Sequence, residues 1–314
     1  MDAVPPEEAA MWNRRRTLCT LAAAGAYVLT RPSLTLGQSR AILTRPIPSS
    51  GEQLPVVGLG SWITFNVGND TVARDGCADV MKYFVDAGGR MIDSSPMYGS
   101  SQETIGYGLR KTALAARVFS ADKVWTASSR GREQIEQSRK YWQIARFDLL
   151  QVHNLLNWQE HLPTLFAMKA AGQVRYVGIT TSEGRRHAEV EQLMSAHPLD
   201  FVQVTYNPID REAEERILPL ARDRGIAVII NRPFREGALV RALARQPLPP
   251  WASEIDCASW AQILLKYIVS HPAVTCAIPA TTRVDHVREN MSAAYGRLPD
   301  AAMRQRIVGG VERA

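Results

Sequence analysis

An α/β fold of eight parallel strands, each followed by a helix and closed into a (β/α)8 barrel, is what this 314-residue chain predicts. Three observations carry the prediction. Apolar runs of strand length recur from Arg40 onward, stretches of helical period stand between them, and glycines fall where a helix should end and a strand begin. The strand runs are Pro55–Leu59, Arg90–Asp93, Val118–Lys123, Asp148–His153, Val174–Thr180, Phe201–Val204, Ala227–Asn231 and Thr275–Pro279. The helical patterns are Asp70–Ala87, with apolar Val72, Val80, Phe84 and Val85, then Glu133–Ala145, Leu162–Ala171, Glu212–Arg224 and Ser259–Ser270. Gly88-Gly89, Gly172 and Gly225 occupy helix C-terminal positions, where a left-handed residue is wanted. Residues 40–54 predict a hairpin across the bottom of the barrel, with Ser50-Gly51 as its turn. An open doubly wound sheet competes with the barrel, but it wants a G-x-G-x-x-G fingerprint, and Gly58-Leu59-Gly60 lacks the third glycine.

Composition removes several classes of function. Hydrophobic residues make up 46% and charged residues 22%, which excludes a disordered chain. The uncharged apolar run Leu18–Leu29 falls short of the roughly 20 residues that span a bilayer, so no stable membrane span is expected. Net charge is +6, yet Lys and Arg are scattered apart from Arg14–Arg16 and Arg185–Arg186, and no basic stripe for nucleic acid forms. Residues 11–30, MWNRRRTLCTLAAAGAYVLT, place a twin arginine before an Ala-rich stretch, the layout of a twin-arginine export signal. The reading divides the chain into a signal peptide at 1–38 and one barrel domain at 39–314. It implies recognition by the twin-arginine translocation machinery and a periplasmic product, with a cytoplasmic or membrane-anchored protein as the alternative. Cys19 lies in that signal; Cys77, Cys257 and Cys276 have no metal-ligand spacing and read as small buried hydrophobes.

Barrel chemistry happens at the C-terminal ends of the strands, and here those ends are polar. Asp93 ends the second strand, Lys123 the third, His153 the fourth, Thr180-Thr181 the fifth, Gln203 and Tyr206 the sixth, and Asn231-Arg232 the seventh. Of six histidines only His153 falls at a strand end, too few for a metal shell. Glycoside hydrolysis needs two facing carboxylates, and only Asp93 qualifies. The inventory favours proton transfer by a tuned tyrosine or lysine.

The segments GGRMIDSSPMYGSSQETIG (88–106), VVGLGSW (56–62), KVWT (123–126), LLQVHN (149–154), VRYVGIT (174–180) and IPATTRVDHVREN (278–290) resemble the aldo/keto reductases over about residues 40–300. Asp93, Tyr98, Lys123 and His153 stand in the order and contexts of that family's catalytic tetrad. The resemblance implies carbonyl reduction with Tyr98 as general acid. A free phenol, of pKa about 10, donates reluctantly; Lys123 nearby should lower that value, Asp93 should hold Lys123, and His153 should orient the carbonyl oxygen. It also implies cofactor contacts: Tyr206 stacked on the nicotinamide, Gln203, Thr180 and Thr181 at its carboxamide, and Pro233, Phe234, Arg235, Gly237 and Leu239 over the pyrophosphate. Thr281, Thr282 and Arg283 would hold the adenosine 2′-phosphate, with Glu289 and Asn290 at the adenine, which favours NADPH over NADH. Trp62, Phe65, Trp125 and Trp158 would line an apolar mouth for a small-molecule carbonyl substrate. Reductase barrels also resemble the β subunits of voltage-gated potassium channels, so a redox-responsive binding module is the competing function. The tail after Pro299 is too short for a large specificity loop.

Overall fold

The computed structural model describes residues 41–313, and the twin-arginine segment lies outside them. The chain begins with an antiparallel hairpin, β1 (Thr44–Pro46) on β2 (Gln53–Pro55). Gly51 takes the turn at φ +76°, and its N–H meets the Ile47 carbonyl at 2.7 Å. Eight parallel strands follow in sequential order: β3 (Leu59–Gly60), β4 (Met91–Asp93), β5 (Phe119–Val124), β6 (Phe147–His153), β7 (Val174–Thr180), β8 (Phe201–Thr205), β9 (Ala227–Asn231) and β10 (Cys276–Ala277). Parallel bridges from Val57 to Ala277 and from Gly60 to Ala280 join the last strand to the first, so the sheet closes on itself. The helices are α1 (Thr71–Asp86), α2 (Ser101–Thr112), α3 (Gly131–Trp142), α4 (Trp158–Ala170), α5 (His187–Ala196), α6 (Ile217–Arg224), α7 (Ala238–Leu243), α8 (Trp260–Val269), α9 (Val284–Ser292) and α10 (Ala301–Glu312).

Closure explains the paired glycines of the first strand. A Cβ on Gly60 would lie 2.7 Å from the Ile278 carbonyl oxygen, inside the contact that the Gly60 N–H makes with the Pro279 carbonyl at 3.0 Å. Gly58 and Gly60 therefore serve strand approach.

Successive strand residues face opposite sides. Ile47 and Leu54 of the hairpin plug the barrel against Met91, Phe119, Ala121, Leu149, Tyr176, Phe201, Ala227, Ile229 and Cys276, all buried. The same alternation continued upward from Phe119 and Ala121 brings Lys123 inside, and from Leu149 it brings Gln151 and His153. The outward set, including Val124, Val152, Ile179, Val202 and Ile230, packs under the helices.

Three elements differ from the sequence expectation. The run Pro55–Leu59 is divided: Pro55 ends the hairpin and the barrel strand is Leu59–Gly60. The pattern Glu212–Arg224 breaks into a 3-10 turn at Glu212–Glu214 and α6 from Ile217, because Pro219 lacks an N–H and fits only a first helical turn. Val72 is 83% exposed at the start of α1 and buries nothing. The tail forms α10, capped by the Asp300 side chain accepting from Met303 N–H at 2.8 Å. The three cysteines of the barrel are buried free thiols; burial pushes Cys77 and Cys257 up to about 11 and Cys276 further, which leaves them unreactive.

Candidate active site

The inward residues of the top layer meet around one buried ammonium. Lys123, with no exposure, donates to Asp93 Oδ2 at 2.5 Å and to the Ser94 carbonyl at 2.7 Å. The other Asp93 oxygen accepts from Gln203 Nε2 at 3.0 Å and from Gln151 Nε2 at 3.4 Å, so the carboxylate is held from β6 and β8 as well as β5. Thr180 Oγ1 donates to Gln203 Oε1 at 3.2 Å and completes the chain of side chains. Tyr98, in the loop after β4, lies over this group: Lys123 Nζ is 5.1 Å from its ring centroid, and the His153 ring meets it edge-on at 5.6 Å.

Each titration follows from burial and from Lys123. Burial raises the Tyr98 phenol above its ordinary value; Lys123 pulls it down, and Asp93 pushes it up again. The expectation of a net lowering is thus corrected, because burial outweighs the ammonium, and Tyr98 is fully protonated at neutral pH. The Lys123 ammonium is raised despite its burial, since Asp93 favours the charged form. His153 is held well below the ordinary imidazole range by burial and by the Lys123 charge, and stays neutral.

A cavity of about 500 Å³ opens above these residues, reached by Asp93, Tyr98, His153, Thr180 and Gln203 from the strand ends, with Lys123 buried beneath it. Trp62, Pro233, Phe234, Gly237, Thr281, Glu289 and Asn290 line it as well.

The remaining sequence candidates lie elsewhere. Tyr206 is fully buried outside the cavity, its ring 5.6 Å from Tyr267 and its hydroxyl bonded to Glu214 and Arg304, so it cannot stack on a nicotinamide. Counting by two from Gln203 places Tyr206 on the outer face, and the same count from Thr180 turns Thr181 outward, where its buried Oγ1 has no hydrogen-bond partner. Phe65 is fully buried in the outer core. Trp158 donates to Glu189 at 2.7 Å and packs on His197, and Trp125 is exposed beyond the cavity with its backbone tied to the Gln134 side chain. Of the four apolar candidates, Trp62 alone lines the mouth. Arg235 is turned to Asp210 at 3.3 Å, and Leu239, on α7, is buried in the core between the helices and the barrel. Thr282 is exposed, and Arg283 grips Asp285 at 3.0 and 2.5 Å away from the cavity.

Sequence reasoning missed other lining residues. Ile63 and Met97, 62% and 42% exposed, border the mouth beside Trp62, and Ile63 holds φ +62°, a strained value for a β-branched residue. Arg232 lies over the Trp62 ring at 5.9 Å and is paired with Glu183 at 3.0 Å and with Glu236. Asn231 was visible as a strand-end residue, as was Arg232. Arg185, Arg241 and His286 line the cavity from loops and helices, where no periodicity points inward.

The family model for the aldo/keto reductase family matches residues 56–306. Methylglyoxal reductase YeaE of Escherichia coli is 26% identical over 267 residues, covering 82% of this chain and 92% of that protein. The NADH-specific methylglyoxal reductase of the same organism is 24% identical, covering 82% and 94%. Among solved structures, an aldo-keto reductase from Klebsiella pneumoniae in complex with NADPH superposes with a TM-score of 0.71 at 22% identity, covering 87% of this chain and 95% of that one. With its barrel, its buried Asp93–Lys123 pair under Tyr98 and a family match across most of its length, this chain belongs to the aldo/keto reductase family and is an NAD(P)H-dependent oxidoreductase.

Proposed function

We propose that the protein reduces an aldehyde or ketone to an alcohol with NADPH, Tyr98 delivering the proton. The observation that carries this is the Tyr98 phenol lining the cavity, its ring 5.1 Å from the Lys123 ammonium and edge-on to the His153 ring at 5.6 Å. The donor set fits a phosphorylated dinucleotide: Arg241 and His286 line the cavity with Thr281 and Asn290 and offer donors for an anion, while Arg185 and Arg232, which line it too, are paired with Glu183 and Glu236 and would have to exchange those partners for a phosphate. Thr180 and Gln203 would hold the nicotinamide end, Pro233, Phe234 and Gly237 the middle, and Thr281, Glu289 and Asn290 the adenosine end. Bound NADPH supplies a hydride.

The chain's own residues do the rest. His153 hydrogen-bonds the carbonyl oxygen and orients it, and Tyr98 gives its proton to that oxygen as negative charge develops there. Lys123 then faces a nascent phenolate, which its charge stabilises, while Asp93 keeps the ammonium in place. Trp62, Ile63 and Met97 exclude water and accept an apolar substrate body. A likeness to methylglyoxal reductases supports trying small 2-oxoaldehydes beside aromatic aldehydes. Steady-state consumption of NADPH with either class supports the reading; a single slow turnover with every carbonyl would favour the redox-responsive binding module.

Export belongs to the same proposal. Arg14-Arg15-Arg16 before the Ala-rich stretch supports a periplasmic enzyme carried out folded by the twin-arginine machinery with its cofactor already bound.

A further inference from the structure

We propose that Ser95 is a positioning residue for His153, fixing which ring nitrogen carries the proton and thereby making His153 a donor to the substrate carbonyl. The part concerning the carbonyl rests on the proposed reaction; the part concerning the ring does not.

Ser95 lies two residues beyond Asp93 and is fully buried, and its Oγ is 2.7 Å from His153 Nδ1. A neutral imidazole has one N–H donor and one bare acceptor nitrogen, and the distance alone does not say which faces the serine. A third group decides. The Met97 backbone N–H donates to the same Ser95 Oγ at 3.2 Å.

Two arrangements are then possible. If Nδ1 carried the proton, Ser95 Oγ would accept from both His153 and Met97, and its own hydrogen would be buried facing no acceptor. If Ser95 donates to Nδ1, all three groups are paired: Met97 N–H to Oγ, the hydroxyl hydrogen to Nδ1, and the ring proton on Nε2. An unmade hydrogen bond in a buried site costs more than a made one returns, so the second arrangement prevails. His153 is itself 5% exposed and kept uncharged by burial and by Lys123, so its tautomer is a real choice. With the proton on Nε2 the ring presents a donor toward the cavity. With the proton on Nδ1 it would present a lone pair to the lone pairs of a carbonyl oxygen, which repels the substrate it should orient.

The test compares wild type with Ser95→Ala and Ser95→Thr. In protein carrying 15N-labelled histidine, with the His153 signals assigned by their loss in His153→Gln, long-range 1H–15N correlation reads the tautomer directly. Wild type and Ser95→Thr should show the Nε2–H form, and Ser95→Ala a mixture. Reduction kcat should fall roughly ten- to a hundredfold in Ser95→Ala and recover to within a few-fold in Ser95→Thr, with NADPH Kd unchanged in both. A wild-type ring protonated on Nδ1, or a Ser95→Ala ring still wholly in the Nε2–H form, overturns the proposal. A wild-type ring in the Nε2–H form without turnover of any carbonyl upholds the positioning role and overturns the reaction it was assigned to serve.

Discussion

Asp122 is a fully buried carboxyl, and replacing it should change the stability of the protein in a pH-dependent way. It precedes Lys123 on β5 but faces outward, where its oxygens accept from Gln102 Nε2 at 2.7 Å and from the Lys123 N–H at 2.7 Å. With no exposure, burial raises its carboxyl from 3.8 to about 7. The native state therefore holds a proton over a range in which the unfolded chain has lost it, so the group's cost grows as pH rises from 3.8 and is complete above about 7. Moving the carboxyl from 3.8 to about 7 corresponds to about 4 kcal/mol at pH 8 and about 2 kcal/mol at pH 5. Asp122→Asn removes the charge but leaves one oxygen for two donors, so calorimetric melting should show a stability relative to wild type that is more favourable at pH 8 than at pH 5. The difference of about 2 kcal/mol between the two pH values corresponds to roughly 4–8 °C in Tm for a domain of this size. A variant destabilised equally at both pH values would refute the argument, because it would mean that the ionised carboxylate holds the native state together through its hydrogen bonds.

Three further outcomes follow from the same geometry. Gly60→Ala should lower stability by about 1–3 kcal/mol, read from a denaturant midpoint, because the new methyl meets the Ile278 carbonyl across the barrel seam; an unchanged midpoint would show that the seam opens freely. In fluorescence titrations Arg283→Ala should leave NADPH affinity within a few-fold of wild type, since the guanidinium already grips Asp285, whereas His286→Ala should weaken NADPH by about 1.5–3 kcal/mol and spare NADH; the reverse pattern would place the phosphate outside the cavity wall formed by Thr281 and His286. Changing Arg14, Arg15 and Arg16 together to lysine should retain the protein in the cytoplasm of the native host, and identical fractionation of the two forms would remove the export reading.

What the sequence made legible was whatever a period of two could reach. The closed barrel, the hairpin beneath it, and the inward placing of Asp93, Lys123, His153, Thr180 and Gln203 all follow from counting along strands from an apolar interior. Tyr206 and Thr181 match cofactor contacts only by resemblance, and the same count turns both outward. Arg235 and Arg283 carry the right charge, yet Arg235 is paired with Asp210 of the loop after β8 and Arg283 with Asp285, only two residues away at the start of α9. The mouth was harder. Phe65 and Trp158 are apolar enough for a substrate, but an apolar side chain in a loop is equally well used by the core, and only the packed structure separates them from Ile63 and Met97. The hydroxyl of Ser95 gave no signal, since its importance lies in a contact between β4's loop and the end of β6.

In the proposed reaction Tyr98 supplies the proton, and cofactor affinity does not depend on its hydroxyl. Tyr98→Phe tests both in one comparison of NADPH Kd with the rate of carbonyl reduction at saturating cofactor. Kd should stay unchanged and the rate should fall at least about 10²-fold, the usual lower range for loss of a general acid. A Phe variant that reduces carbonyls at the wild-type rate would contradict that role of Tyr98.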